Sequence, residues 1–442
     1  MPGHSLTPVS CASRAVLSAD DHITAVGAQR LLFARDFGLV WLSQLVSQVG
    51  DGVSKLALLW FVYSITGSPI KTTVIGLLQT IPPIVLGPVI GVLVDRCPKK
   101  FLLVSSDIVR ALLIGLIPCL ISVESFTVEV LYLLVLLHAM ATAIFGPALI
   151  AAVPAIVAKR QFTAANALLQ STTSLGIVMG PALSGIGIAL SSSQEVLCIN
   201  AATYLLSATC LLPVRMPRPS VVSAERPPAA ALRQDLMEAV RFVLSRQPAL
   251  LWLIATAALY TFGTSALTTL FPVFGRKLLN LGPVEVGYLW SALGGGLLAM
   301  SILLVWWTEW SLPRRIALIA GTSAVSGMAI CALVWVRDPL AAGALMAVVG
   351  CGMGALTPIA WGVVQELSPR EIVGRVLGLY QTAAMTSAIA GIGAFGWITE
   401  ELGESTSVNG IGLALLVTAL FASRFRRLLA QLLENEHGLY AG

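Results

Sequence analysis

GVLVDRCPKK, at residues 91–100, closes one apolar run with an acid, an arginine and two lysines. From Phe101 the chain is apolar again, so the charged stretch is a short polar turn. Apolar runs of about 20 residues are long enough to cross the hydrocarbon core of a bilayer as helices. The stretch therefore predicts a tight hairpin between two membrane-spanning helices.

The composition extends this pattern to the whole chain. Of its 442 residues, 57% are hydrophobic and 11% are charged, against roughly 25% charged in a soluble domain. Mean hydropathy is +0.87. So few charged residues cannot cover the apolar surface in water, and in lipid each backbone amide must be paired within its own helix. We therefore predict an all-α membrane protein.

Polar punctuation divides the chain into twelve predicted transmembrane helices. They are 37–65, 72–94, 101–121, 128–150, 165–190, 194–213, 248–274, 283–306, 315–336, 340–366, 373–399 and 408–424. We expect two pseudo-symmetric six-helix bundles, 37–213 and 248–425. A linker at 214–247, with an amphipathic helix, joins the bundles, and tails at 1–36 and 426–442 flank them.

The two predicted bundles match each other when the chain is shifted by 211 residues, which brings Trp41 onto Trp252. The other matching pairs are Gly52 and Gly263, Gly76 and Gly287, Pro147 and Pro358, Gln170 and Gln381, Gly180 and Gly391, and Gly185 and Gly396. Parallel repeats of membrane helices are typical of secondary transporters. Asp51 falls on Phe262, so this charge occurs in one half only.

The basic residues predict the orientation. If the N-terminus is cytoplasmic, 22 of the 27 lysines and arginines lie on the cytoplasmic side. The other five are Lys55, Lys71, Arg276, Lys277 and Arg337. By the positive-inside rule both termini are then cytoplasmic. No basic face carries interleaved aromatics, so we expect the lipid bilayer as partner and no nucleic acid. We expect a monomer.

Motifs for nucleotide hydrolysis, zinc proteases and serine hydrolases do not occur in the sequence, and the seven cysteines form no pair with metal-ligand spacing. We therefore predict no enzyme activity, no metal and no cofactor. Transport, if that is the function, must use an ion gradient or be passive.

The stretch 91–100 resembles the signature between the second and third helices of the major facilitator superfamily. This resemblance implies a cytoplasmic latch, in which an aspartate caps the eleventh helix and basic residues form a charge cluster. Such capping is worth roughly 0.3–1 kcal/mol. The residues assigned to the latch are Gly91, Asp95, Arg96, Lys99, Lys100, Asp107, Arg110, Gly374 and Arg375. Alternatively, the basic residues only set the topology.

The fifth predicted span carries small residues at helical spacing: Gly176, Gly180, Pro181, Ser184 and Gly185. They resemble the fifth-helix motif of exporters in the same superfamily, with a serine in place of one glycine. The resemblance implies export and not import. Small residues four apart also serve as a general packing signal between membrane helices.

Asp51 is the predicted proton-binding residue. It follows Phe37 by 14 residues, or about 21 Å of helix, which is beyond the middle of a core roughly 30 Å thick. A charge at that depth costs on the order of 2.5–3.5 kcal/mol and is functional by default. The alternatives are a static ion pair with Lys55, one turn further along the same face, or a hydrogen bond to a neighbouring helix.

His138 lies near the middle of the fourth predicted span, where it can relay protons or hydrogen-bond between helices. Other polar residues inside spans can line a cavity or bind neighbouring helices. These cavity candidates are Gln44, Gln48, Gln79, Gln170, Tyr260, Tyr380 and Gln381.

Four stretches resemble one bacterial branch of the superfamily, the enterobactin-exporter and macrolide-efflux type. They are residues 50–51, 145–148, 163–168 and 374–376. The resemblance implies alternating access and proton antiport that exports a small amphiphilic molecule: a drug, a siderophore or a secondary metabolite. The alternatives are a lysophospholipid or nutrient transporter or facilitator, and a membrane receptor or scaffold that transports nothing.

Overall fold

A computed structural model describes residues 31–121, 127–158, 161–216, 228–245, 247–306, 310–369 and 372–439. Most of the predicted N-terminal tail, linker residues 217–227 and the last three residues lie outside these ranges. The helices are α1 Arg35–Thr66, α2 Pro69–Arg96, α3 Lys99–Ile121, α4 Val128–Ile156, α5 Phe162–Leu190, α6 Ser193–Leu211, α7 Pro228–Ser245, α8 Pro248–Thr269, α9 Pro283–Trp306, α10 Leu312–Ala332, α11 Pro339–Leu367, α12 Val373–Leu402 and α13 Glu404–Leu439.

The helix bounds repeat with the shift seen in the sequence. Adding 211 to both ends of α4, Val128–Ile156, gives α11, Pro339–Leu367. The same addition to Phe162 and Ser193 gives the first residues of α12 and α13. The two halves are therefore copies of one six-helix unit, and α7 is the amphipathic helix of the linker.

The predicted all-helical membrane fold is confirmed. Within the described ranges, eleven helices are long and apolar enough to cross a membrane. The exception among the twelve predicted spans is α6, which has 19 residues and carries Glu195 and Asn200. Because of this helix, the total of twelve membrane spans stays a prediction.

Several predicted boundaries differ from the structure, among them the ends of α8 and α13. The seventh span was predicted to continue to residue 274, but α8 ends at Thr269. The cause is Pro272, which has no backbone N–H to donate; it lies in a short helix, Phe271–Val273, and a π-helical turn follows that helix. At the other end, α13 continues through the predicted tail to Leu439, because residues 426–439 are rich in helix-forming leucine, arginine and glutamate.

Within each half, the first and third helices pack on the sixth. α1 packs against α5 and α6, and α3 packs against α6 and α4; the copies α8 and α10 make the equivalent contacts with α12, α13 and α11. The halves meet where α5 packs on α9 and where α2 packs on α12. Because the shift converts α2 into α9 and α5 into α12, these two seams are copies of each other.

The seam between α5 and α9 is closed by glycines. A Cβ on Gly185 would overlap the carbonyl oxygen of Pro283, and a Cβ on Gly287 would overlap that of Pro181. A Cβ on Gly294 would lie 3.0 Å from the carbonyl oxygen of Ile177. Small residues let the two backbones touch, as is usual where membrane helices associate.

The seam between α2 and α12 is tight at one end only. We call the end that holds α7 the linker end, and the end that holds Gly67, Ser192 and Gly403 the opposite end. Toward the opposite end, a Cβ on Gly396 would overlap the side chain of Thr73. Toward the linker end, no described atom lies within 4 Å of a Cβ on Gly91 or Gly374. The two helices therefore diverge toward the linker end.

Gly287→Val tests the contact between α5 and α9. The added side chain meets backbone, which cannot move aside alone, so we expect a loss of about 1–3 kcal/mol in stability. The measurement is the thermal unfolding midpoint in detergent. Gly295→Val on the same helix is the matched control, since no described atom lies within 4 Å of its Cβ. Equal midpoints for the two variants would contradict the close contact.

Candidate functional site

The centre of the candidate site is Asp51, midway along α1. Tyr204 of α6 donates its hydroxyl to Oδ1 of Asp51. Gln48 Nε2 donates to Oδ2 at 3.5 Å, and Nη1 of Arg110 lies 3.9 Å from the same oxygen. The Asp51 side chain is 27% exposed and that of Arg110 is 1% exposed. The acid is therefore partly exposed, and its described partners include buried side chains.

Arg110 pairs with a second acid. Its Nη2 donates to Asp107, whose side chain is fully buried, and Ser207 donates to the other carboxylate oxygen at 2.6 Å. The guanidinium carbon lies 4.3 Å from the ring centroid of Phe145 and 4.4 Å from that of Tyr204. Because one cation faces two carboxylates, the cluster is negative whenever both acids are ionised.

His138 joins the cluster through Tyr204. Its Nε2 lies 3.0 Å from the Tyr204 hydroxyl oxygen. Tyr204 is fully buried. Its hydroxyl contacts both His138 and Asp51. We call Asp51, Asp107, Arg110, His138 and Tyr204 the charge cluster.

Local helix geometry brings these residues together. Asp107 and Arg110 are three apart on α3, and Tyr204 and Ser207 are three apart on α6, so each pair shares a helix face. Gly50 lets α6 approach, because a Cβ there would overlap Asn200 and Thr203. Gly50 therefore leaves room for α6, and Asp51 accepts a hydrogen bond from the Tyr204 hydroxyl of that helix.

Two further hydrogen bonds fix α1 on α6. Asn200 Nδ2 donates to the hydroxyl of Ser54 at 2.7 Å. The hydroxyl oxygens of Ser43 and Ser207 are also 2.7 Å apart. The charge cluster thus rests on a rigid contact between helices.

The second half has no copy of the charge cluster. The shift of 211 places Phe262, Leu318, Gly321, Val349 and Leu415 at the positions of Asp51, Asp107, Arg110, His138 and Tyr204. Phe262 packs on Phe395 with 5.4 Å between ring centroids. Two copies of one frame therefore carry charge in one half and apolar packing in the other.

Lys55 lies away from Asp51. Its ammonium is 5.6 Å from the ring centroid of Trp290, on α9 of the other half. The predicted alternative was a static ion pair between Asp51 and Lys55. The structure does not contain this pair, because the cation beside Asp51 is Arg110. The lysine stem extends toward the second half, and Arg110 approaches from within its own half.

The predicted latch residues are divided between two places. Asp107 and Arg110 belong to the buried charge cluster and not to the linker end, because they lie two to three turns inside α3. At the linker end, Lys99 donates to the carbonyl of Val94, Lys100 to those of Leu212 and Val214, and Arg375 to Glu238 of α7 at 2.5 Å. The side chain of Asp95 lies outside the described part of the chain.

The cavity candidates separate in the same way. Gln48 contacts Asp51, whereas Gln44 is buried and its side-chain oxygen has no hydrogen-bond partner among the described residues. Tyr260 is buried beside Ser326 of its own half and therefore lines no open cavity. Tyr380 is buried, and Gln170 and Gln381 are exposed. Gln79 is half-buried, and Ser184 of the fifth-helix motif is buried.

Sequence reasoning missed Tyr204, Ser207 and Asn200. A signal for them exists, because positions 200, 204 and 207 form one polar stripe on an otherwise apolar helix. Such a stripe cannot face lipid without cost, so it indicates a contact with polar groups on other helices.

Polar contacts join the halves at the opposite end. Glu400 of α12 accepts from the hydroxyl of Ser68 at 2.9 Å and from the backbone N–H of Ile70 at 3.1 Å. Within the second half, Lys277 pairs with Glu404 at 2.8 Å, and this hydrogen bond raises the pKa of the lysine because the carboxylate favours the charged ammonium. The Glu400 contacts cap the N-terminus of α2 and close this end of the seam.

The family model of the Major Facilitator Superfamily matches residues 40–392. The match covers most of the chain, so the protein belongs to the Major Facilitator Superfamily and is a multi-pass membrane transporter. The resemblance found in the sequence is confirmed.

Two relatives are efflux proteins. Macrolide efflux protein A of Streptococcus pyogenes is 25% identical over 349 residues, 78% of this chain and 84% of the relative. Multidrug efflux pump Tap of Mycolicibacterium fortuitum is 26% identical over 412 residues, 88% of this chain and 96% of the relative. This chain is therefore similar to efflux pumps over most of its length.

Solved transporters share the fold. A peptide transporter POT in complex with sulfate aligns with a TM-score of 0.70 and 14% identity, over 91% of this chain and 99% of that one. A POT family transporter in complex with 5-aminolevulinic acid aligns at 0.67 and 13%, over 89% and 96%. At these identities the likeness concerns the fold alone.

Arg110→Met tests the energetics of the charge cluster. The variant leaves Asp107 buried without its cation, which typically costs about 3–5 kcal/mol, so the unfolding midpoint in detergent should fall sharply. Arg315→Met is the control, since it breaks a partly exposed pair with Glu366 at 2.8 Å that is worth about 0–1 kcal/mol. Adding Asp107→Asn to Arg110→Met should recover part of the loss. Equal midpoints for the two arginine variants would contradict the assignment.

Proposed function

We propose that the protein exports a small amphiphilic molecule in exchange for protons, with Asp51 as the carboxylate that binds the proton. The observation that carries this proposal is the position of Asp51: it is midway along a membrane helix, partly exposed, in contact with Arg110 and Tyr204, and without a counterpart in the second half. Acids inside a membrane are expensive and mark ion pathways.

The exposed face of Asp51 is directed toward the other half. Asp51 and Lys55 are four residues apart and share a helix face, and Lys55 reaches Trp290 of α9. The space between the halves is where superfamily members of this build bind substrate. A substrate in that space can replace the proton beside the carboxylate.

The charge cluster gives the exchange its energetic basis. With a proton on Asp51, Arg110 and Asp107 balance each other. Without it, the cluster carries one excess negative charge in a medium of low dielectric, where such charge is costly. Proton and substrate are therefore alternative ways to occupy the site, as antiport requires.

The seams support alternating access. The contacts of Glu400 and Gly396 close the opposite end, while α2 and α12 diverge toward the linker end. We infer that the linker end is cytoplasmic, because most basic residues lie there. Rocking of 37–213 against 248–425 would close the predicted latch at Asp95, Arg96 and Arg375 and open the opposite end.

The relatives favour efflux over uptake. Their names, macrolide efflux protein A and multidrug efflux pump Tap, describe export of drugs from cells. Of the α5 glycines that resemble the exporter motif, Gly185 lies on the seam with α9, whereas Gly176 and Gly180 pack on α1. We propose the same direction for this chain, acting as a monomer with both termini in the cytoplasm.

Asp51→Asn tests the proposed coupling. In everted vesicles with an acidified lumen, the wild-type protein should accumulate erythromycin or ethidium. The variant should lose accumulation at least tenfold, since general acid–base groups contribute about 10²–10⁴, while it retains energy-independent counterflow. Asp36→Asn, at the start of the same helix, is the matched control and should transport as wild type does.

The outcomes also separate the alternatives. Counterflow without accumulation in the wild-type protein indicates a facilitator, and binding without either indicates a receptor; both outcomes contradict the proposal. Accumulation of lysophosphatidylethanolamine and of neither drug probe indicates a lipid transporter and contradicts the drug assignment. Equal accumulation by wild type and Asp51→Asn removes Asp51 from the mechanism.

A further inference from the structure

We propose that Tyr204 passes the proton between His138 and Asp51, along a path that is separate from the space that the substrate occupies. This inference rests on the proposed role of Asp51. It adds Tyr204, which was not among the residues predicted from the sequence to couple protons to transport.

The geometry around Tyr204 fits a relay. The hydroxyl donates to Oδ1 of Asp51, and the same oxygen lies 3.0 Å from Nε2 of His138. The remaining oxygen of Asp51, Oδ2, faces Gln48 and Arg110. The carboxylate thus has one oxygen for the relay and the other for the charge partners.

Burial separates the two sides of Asp51. Tyr204 is fully buried, so bulk water does not reach its hydroxyl, and a proton on it can come only from a neighbouring side chain. The Asp51 side chain is 27% exposed, on the face of α1 that carries Lys55 toward the second half. A substrate on that exposed side would leave the path through Tyr204 free.

The other charged groups around Asp51 do not replace His138. Asp107 on α3 is held by Arg110 and Ser207, Arg110 is a guanidinium that keeps its proton, and the Lys55 ammonium lies against Trp290 of the other half. α5, which packs on α1, contains no ionisable side chain, and those of α2 lie only near its ends. His138 on α4 is the group in contact with Tyr204 that can both accept and release a proton.

The proton step balances. A proton binds Nδ1 of His138 as the proton on Nε2 moves to the Tyr204 oxygen, and the Tyr204 hydroxyl proton moves to Oδ1 of Asp51. Imidazole and phenol each gain one proton and lose one, so neither is left charged. The net result is one proton delivered to Asp51, and reversal of the same steps releases it.

The second half contains no equivalent path. Val349 and Leu415 occupy the positions of His138 and Tyr204 under the shift of 211. Tyr260 is nevertheless a buried tyrosine in that half, and its hydroxyl interacts with Ser326 of the same half. The chain therefore offers an internal control: one buried tyrosine contacts the coupling acid and the other does not.

Tyr204→Phe tests the relay, with Tyr260→Phe as its control. We expect Tyr204→Phe to lose proton-driven accumulation of erythromycin or ethidium at least about tenfold. The physical reason is that a positioned acid–base group typically speeds a proton-transfer step by about 10²–10⁴. Erythromycin or ethidium counterflow, which needs no net proton movement, should stay within about twofold of wild type. Tyr260→Phe should retain both activities. His138→Phe should reproduce Tyr204→Phe.

Accumulation at the wild-type level in Tyr204→Phe or in His138→Phe overturns the relay. It leaves the role of Asp51 intact if Asp51→Asn is still uncoupled. Equal loss of accumulation and counterflow in Tyr204→Phe also overturns the relay, because it indicates a structural role. If Asp51→Asn accumulates substrate as wild type does, the proposed function itself fails.

Discussion

One guanidinium shared by two carboxylates inside a membrane is the constraint on which the rest depends. Arg110 touches Asp107 closely and Asp51 at 3.9 Å, and almost none of its surface is exposed. An ionised acid without a full counter-ion is expensive in such a place, so a proton or a ligand must balance it. In the proposed exchange, a proton and the substrate occupy this site in turn.

The internal repeat supplies the frame in which that constraint acts. The same helix contacts recur in both halves, and the two seams correspond to each other under the shift of 211. The charge cluster breaks this symmetry, since its positions in the second half are apolar. In the proposed mechanism, one half responds to protons, and the other provides the surface against which it moves.

Much of the fold could be predicted because each helix is a local event. Apolar length gives the first residue of α4 and both bounds of α11 almost to the residue, although α4 continues past the predicted end at 150 to Ile156, and depth alone singles out Asp51. Its partners could not be predicted in the same way, because Tyr204 is 153 positions away and the rotation of α6 decides what it meets. Asp107 and Arg110 were predicted to belong to the latch because they closely follow the stretch 91–100 in the sequence.

Proton release on substrate binding tests the central claim most directly. In weakly buffered detergent solution at neutral pH, the account predicts release of about one proton for each erythromycin or ethidium molecule bound by the wild-type protein. The Asp51→Asn variant should bind and release none. Equal release by both proteins, or binding by wild type without release, would contradict the exchange at Asp51.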